Sequence, residues 1–378
     1  MTESTFSIEQ LVLPESLESP EARDFLDVCT LSDELVLRTR GTLDLATPNR
    51  ARFILWRDTE YARLRVYFVR LEGRVVARAW IHLPLKDNLD TAWLSVGVHP
   101  DFEGRGLGRA LADHLEAVAL SEGRTVVQMG TEHPTGTADD DGERLLPPTG
   151  SGSVPAASRS VRFALRRGYE LVQVERTSVL EVSEESRRAA RALLEEAAAR
   201  AEESYDLVTW YDETPEEYVE DLVRLSTSMS TEIPLGGLEL GEEVFDAGRV
   251  REIDARRREG GVRAVTTAAR HRSTGELAGY SVLEYLPDHP EVGEQDSTLV
   301  LPGHRGHALG QWMKAANFER LLETFPAVQR IYTYNADENQ HMLAINIAMG
   351  FRPAGHDGQW QAHLDGRATA RAIAGEGS

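Results

Sequence analysis

The sequence predicts an α/β fold built as two tandem domains, each a mixed central β-sheet flanked by helices. Three observations carry that expectation. The chain has 378 residues, more than one core usually spans at ~100–200 residues per domain. Strand-like and helix-like runs alternate along most of it. One series of elements, strand, glycine-bearing turn, helix, strand, helix, strand, also occurs twice at a spacing of about 180–190 residues, too long for a solenoid and suited to a duplicated domain.

In the first copy, Arg63 to Leu85 holds two β-type runs around a Glu72-Gly73 turn, and "TAWLSVGV" is a further strand. The turn at Phe102–Gly108 opens a helix with Leu107, Leu111, Leu115 and Val118 at helical spacing. "RTVVQMG" is the next strand. Thr131 to Pro155, rich in Pro, Gly, Asp, Ser and Thr, reads as an irregular insertion. "SVRFALRRGYELVQVERTSVLEV" then gives a short helix, a stop at Gly168 and a closing strand. The Ala-, Glu- and Arg-rich run after Ser183 is a helical linker, about 184–204, which divides the chain into domains 1–182 and 183–378. In the second copy Asp212 to Arg258 is expected to form a helical substrate wall. "LAGYSVLEYLP", "STLVLP", a turn at His304–Gly310, a helix to Thr324, "RIYTYNA", a helix from Asn339 and "GFRPAG" then repeat the earlier order. The tail after Arg367 reads as loose.

Composition narrows the function. With 41% hydrophobic and 27% charged residues the chain is ordinary for a soluble globular protein. No apolar run approaches the roughly 20 residues that span a bilayer, and the acidic N-terminus lacks a signal pattern, so a cytoplasmic location is expected. Cys29 is the only cysteine, which excludes intrachain disulfides and thiolate clusters. A formal charge of −21, from 62 acidic against 41 basic residues, argues against nucleic-acid or anionic-membrane partners and suits a cationic substrate such as an amine. His304 and His307 are three apart, but no further ligand set accompanies them, so no metal is expected.

The repeated turn points to chemistry. A strand that runs into a glycine-bearing turn and then a helix gathers main-chain N–H groups around one space, and the positive helix end adds to their field. The result is an anion site in which Arg105, Arg109, His304 and Arg305 are side-chain donors. The same turn also serves packing alone, and duplication copies scaffold as readily as sites. The motifs "VHPDFEGRGLG" and "VLPGHRGHALG" resemble motif A of the GNAT acetyltransferases, read Gln/Arg-x-x-Gly-x-Gly/Ala. "NADENQHMLAINIAMGF" resembles that family's later Asn-x-x-Ala helix ending in Gly-Phe. The chain is similar in layout to two-domain actinobacterial acetyltransferases of the mycothiol synthase type. A Rossmann reading is weaker, because "GRGLG" lacks the full fingerprint.

The resemblance implies acetyl-CoA as cosubstrate and a small-molecule amine as acceptor, in a monomer or homodimer. It places the diphosphate on Val300, Arg305, Gly306, His307, Ala308, Leu309 and Gly310, with Asn339 on the pantetheine arm. The corresponding positions of the first copy are Val98, Arg105, Gly106, Leu107, Gly108 and Arg109. The first copy departs further from the family: Glu103 stands where Arg or Gln is expected, and Ala157 where Asn is expected. The second copy is therefore expected to do the chemistry, with the first as scaffold or a silent CoA site. Ala308 replaces a glycine there, a mild change provided its φ stays negative. By position Glu294 is the candidate base, with Ala92 in its place in the first copy, and Asp296 lies two residues on. The family's acid tyrosine falls on Asn346 and Ala164, neither of which can serve, so Tyr334 and Tyr332 are substitute acids. Met229, Ile233, Leu235 and Leu238, with Glu232, Glu239, Glu242 and Glu243, are candidates for the acceptor wall. A different class of function stays open, a CoA-binding sensor or assembly protein without catalysis.

Overall fold

A computed structural model of the chain describes residues 6–136, 142–201 and 203–364. The tail expected after Arg367 and residues 137–141 of the predicted insertion lie outside these. The chain folds as two compact units, Met1–Val174 with Leu235–Leu240 and Asp357–Ser378, and Glu175–Pro234 with Gly241–His356. The sequence-based boundary after Val182 falls within the second unit; the chain passes between units at Val174.

In chain order the elements up to the crossing are β1 (Glu9–Gln10), α1 (Arg23–Arg40), α2 (Asn49–Leu55), β2 (Ala62–Leu71), β3 (Arg74–Pro84), β4 (Thr91–Val98) and α3 (Leu107–Ser121). They continue with β5 (Val126–Pro134), the short pair β6 (Arg144–Leu145) and β7 (Val154–Pro155), α4 (Arg159–Arg166) and β8 (Glu170–Glu181). The β2–β3 hairpin closes on Glu72 and Gly73 at φ 51° and 83°. Two positive φ values give the turn whose twist matches its strands. The predicted apolar stripe of α3 is in place, with Leu107, Leu111 and Leu115 buried against the sheet residues Val69, Ala77 and Ile81. The sequence reading did not assign α1 and α2. They cover the opposite sheet face, where Phe25, Val28, Leu31 and Phe53 pack on Val66, Phe68 and Val75.

The strand after β5 in this sheet is not the one that follows α4 in sequence. Residues 357–363 lie beside β5. Trp360 of that segment is fully buried and donates its Nε1–H to Thr131 Oγ1 at 2.9 Å. Gln128 Nε2 donates to Gln361 Oε1 at 3.0 Å, and Leu364 N–H to the Thr125 carbonyl at 2.8 Å.

The second unit comprises α5 (Glu184–Ala201), β9 (Tyr205–Tyr211), α6 (Val219–Glu232), α7 (Ala247–Gly260), β10 (Arg263–His271), β11 (Leu277–Tyr285), β12 (Val292–Val300), α8 (Leu309–Thr324), β13 (Arg330–Ala336), α9 (Gln340–Met349) and the start of β14 (Arg352–His363). The sheet runs β13-β12-β11-β10-β9, and the Glu175–Glu181 part of β8 pairs antiparallel with β13. One face packs on α8 through Val265, Leu283, Phe318 and Leu321. The other is covered by α6 and α7 through Leu222, Leu225, Val250, Tyr280 and Val282.

Two irregularities of β12 position the site. Its parallel pairing with β13 runs only from Val292↔Arg330 to Gln295↔Thr333, so the strands part beyond that point. Its pairing with β11 shifts between Leu283↔Gln295 and Ser281↔Thr298, which leaves Asp296 and Ser297 opposite Val282 alone. That is a β-bulge, and it bends the strand and re-aims its side chains. In the first unit β4 and β5 also part, after Leu94↔Met129, but β3 and β4 keep one register from Ala77↔Val98 to His82↔Trp93.

Candidate active site

The turn ahead of α8 begins with the 3-10 turn Pro302–His304, and the chain then swings through Gly306 at φ 89° and Ala308 at φ 59°. The condition that made Ala308 a mild change is not met: its φ is positive, where a β-carbon crowds the next carbonyl. No described acceptor takes the main-chain N–H of Gly306, His307, Ala308, Leu309 or Gly310. A string of open amides at a helix N-terminus fits a diphosphate. Arg305 sits beside them, but its Nε donates to the Val300 carbonyl at 3.2 Å and its other end pairs with Glu232 at 2.6 Å. His307 is exposed on the turn. His304 Nδ1 lies 2.9 Å from the Tyr205 hydroxyl, and burial, with His271, Arg224 and His307 nearby, pushes its pKa down. Asn339 caps α9, its Oδ1 accepting from Met342 N–H at 3.2 Å.

Glu294 lies on β12 just before the bulge. It is directly opposite Glu284 on β11 and beside Tyr332 on β13. Arg257 of α7 donates to Glu284 at 2.6 Å and to Asp296 at 3.3 Å. Glu294 is exposed, while the protein around its carboxylate takes up part of its water shell. That desolvation, with the charges of Glu284 and Asp296, pushes its pKa up to about 7. The carboxyl therefore exchanges its proton near neutrality, which suits a general base. Tyr334 is the first β13 residue past the last pair with β12, on the same strand face as Tyr332. It is half-buried where the strands part.

A cavity of about 240 Å³ opens between α6, α7 and the sheet, and Asp296 and Ser297 of the bulge line it. Met229 and Ile233 also line it, as expected. Leu235 and Leu238 do not; they belong to the segment Leu235–Leu240 of the first unit. Among the expected glutamates Glu243 lines the cavity, Glu232 is held by Arg305, and Glu239 accepts from Gln361 at 2.9 Å. Glu242 is exposed. The acidic lining residues are Asp212, Glu243, Asp254 and Asp296, against Arg257.

Two site residues, Tyr280 and Arg257, and the buried cation Lys314 were not reached from sequence. Tyr280, on β11, lines the cavity and bonds to Ser226 and Ser297; burial raises its pKa. Its hydroxyl is a polar group on a strand that reads as plain core. Lys314 of α8 is 1% exposed with its ammonium 5.8 Å from the Phe351 ring, and burial pushes its pKa down to about 7. A lysine in the apolar run "QWMKAANF" was the available signal. Arg257, which holds Glu284 and Asp296, is one of several arginines in the run "ARRREG", and nothing in the run singles it out. Asn346, at the family's tyrosine position, is buried and donates to Asn335 Oδ1 at 2.7 Å, while its own Oδ1 has no partner.

The first unit's turn keeps Gly104 and Gly106 at φ 76° and 84°. Glu103 pairs with Arg159 at 2.8 Å, and Arg105 donates to the Asp101 carbonyl at 3.1 Å and stacks on Phe102. Leu107 is buried, Arg109 is exposed, and a β-carbon at Gly108 would touch Val98. Among the described residues no group of three His, Cys, Asp or Glu side chains is placed to hold a metal, and no helix is long and apolar enough to cross a membrane.

Comparison with known proteins bears on the fold. Residues 34–138 match the model of the Acetyltransferase (GNAT) family. No curated protein matches the chain. A tandem GNAT protein from the clavulanic acid biosynthesis pathway is 26% identical, with a TM-score of 0.69 over 94% of this chain and 98% of that one. A GCN5-related N-acetyltransferase from Sphaerobacter thermophilus shares the fold at 12% identity, with a TM-score of 0.60 over 95% and 96% of the two chains. The doubled strand–turn–helix, the parted strands in each unit and these likenesses together show that the chain has a tandem GNAT fold, two units of it in one polypeptide.

Proposed function

We propose that the second unit transfers the acetyl group of acetyl-CoA directly to the primary amine of a small molecule. The observation that carries this reading is Glu294, a carboxyl that titrates near neutrality where β12 leaves β13 and beside a bulge that lines an acid-rich cavity. The amides of Gly306 to Gly310 hold the diphosphate, and Asn339 lies along the pantetheine arm. Acetyl-CoA supplies the acetyl group activated as a thioester. Glu294 takes the proton of the incoming amine, directly or through one water. Peptide groups of β12 left open beyond Gln295 polarise the carbonyl. The C–N bond forms as the C–S bond breaks, and Tyr334 is the proposed proton donor to the departing sulfur. Asp212, Glu243, Asp254 and Asp296 favour a cationic amine. No acyl-enzyme is formed; Cys29 is buried in the first unit.

The first unit serves as scaffold or a silent CoA site, since Glu103 stands at its turn and its β4 has no bulge. A cytoplasmic monomer or homodimer, without nucleic-acid or membrane partners, completes the reading. The test is thiol release from acetyl-CoA against a panel of amino sugars, aminoglycosides and amino-acid amines. Turnover that Glu294→Gln lowers on the order of 10²-fold supports it. Asn346 and Ala164 at the tyrosine position favour a second reading, a CoA-binding sensor. Tight CoA binding with no turnover on any amine would establish that instead.

A further inference from the structure

The first unit contains a larger cavity whose electrostatics are opposite to those of the second. It measures about 500 Å³ and lies between the sheet and helices α1 and α2. Trp56, Trp80 and Trp93 line it, with His82, Arg52 and Arg78. None of its described lining residues is acidic, in a chain whose formal charge is −21.

The two arginines differ in how their charge is met. Arg52 pairs with Asp33 at 2.8 Å and donates to the Cys29 carbonyl at 3.2 Å. Arg78, on β3, donates from one terminal nitrogen to Ser95 Oγ at 3.2 Å. Its Nε is shut off from solvent and has no partner, and no described carboxylate lies within ion-pair distance. The nearby Glu132 attracts it, but that carboxylate is bonded to Arg40 at 3.0 Å. Dense packing and repulsion from Arg52 push the Arg78 pKa down to about 10, so it remains charged at neutral pH. A crowded guanidinium without a counter-ion is costly, and an arriving anion relieves that cost. Three indoles beside it supply flat apolar area.

We propose that this cavity is a binding site for a small organic carboxylate with an aromatic body, the carboxylate paired with Arg78 and the ring held among Trp56, Trp80 and Trp93. The site is separate from the chemistry of the second unit and does not depend on it. Benzoate, 2-naphthoate and indole-3-acetate, each beside its own carboxamide, are titrated into the full chain and followed by tryptophan fluorescence and calorimetry. At least one carboxylate is expected to bind ten-fold or more tightly than its amide. Arg78→Gln is expected to abolish that preference while leaving amide binding within two-fold, and Arg78→Lys to retain part of it. Trp93→Phe, which leaves the guanidinium in place, is expected to reduce the quench, and Glu294→Gln to change nothing. If Arg78→Gln fails to fold, as its melting curve shows, the carboxylate-to-amide ratio of the wild type with the Arg78→Lys and Trp93→Phe variants decides. Absence of a carboxylate preference across the panel overturns the proposal, as does a preference that survives Arg78→Gln.

Discussion

Glu294 of β12 stands directly opposite Glu284 of β11, and Arg257 is bonded to Glu284 rather than to Glu294. Asp296 adds a third carboxylate, also bonded to Arg257. Three negative groups around one guanidinium favour keeping a proton: the pKa of Glu294 is pushed up to about 7, and that of Glu284 is raised as well. The acyl transfer rate is therefore expected to rise with pH through about 7, and Glu294→Gln to flatten that limb. The pH profile of kcat/KM checks it; an unchanged profile in the variant removes Glu294 from the base role.

The same group makes a stability prediction. Its folded pKa lies above the unfolded value of 4.5, so between those pH values the folded state holds the proton more tightly. Stability from this group is thus lost as pH rises from about 4.5 to 7. Glu294→Gln is expected to stabilise the protein at pH 8 by about 1 kcal/mol, allowing for solvent screening, and to have no effect at pH 4. Urea titrations at the two pH values read the difference.

Lys314 works in the opposite direction. Its folded pKa of about 7 lies below the unfolded 10.5, so the unfolded chain binds more protons between those values and stability rises with pH across that window. Lys314→Met keeps the length and removes the charge. It is expected to raise stability at pH 7 by on the order of 2 kcal/mol and to level the rise between pH 7 and 10. Thermal melts over that range give the answer, and an unaltered slope assigns the dependence to other groups.

Ala308 holds a left-handed backbone at φ 59°. Ala308→Gly removes the β-carbon clash but frees the unfolded chain, so a net gain of about 0.5–1 kcal/mol is expected. CoA affinity should hold, because the N–H remains. A loss of stability on denaturant titration refutes strain at this turn.

Trp360 is fully enclosed in the core of the first unit. Trp360→Ala is expected to cost about 3–5 kcal/mol, and Trp360→Phe less, through loss of the bond to Thr131. Hydrogen exchange should show the loss centred on β5 and α3. Even loosening along the whole chain contradicts the assignment of this strand to the first unit.

Much of this was legible in the sequence because it is local. Glycine spacing gave both turns, alternation gave the β2–β3 hairpin, and counting from the turn reached Glu294. What escaped depends on pairing. The bulge at Asp296 and Ser297 is a register shift against β11, and no residue in "GEQDSTLV" announces it. The runs "VQVERTSVLEV" and "DGQWQAH" both read as strands, but a strand pattern does not say which neighbour it joins. Charge neutralisation escaped for a similar reason. That Glu232 holds Arg305 and Arg257 holds Glu284 follows from contacts across 73 and 27 residues of chain.

The strand beside β5 has a temporal consequence. Because Trp360 is made 229 residues after its partner Thr131, the first half of the polypeptide leaves the ribosome with one sheet edge still open. It must wait for the second unit to be translated before that edge is covered. A gene divided at the midpoint would give two incomplete products, each lacking a piece encoded in the other.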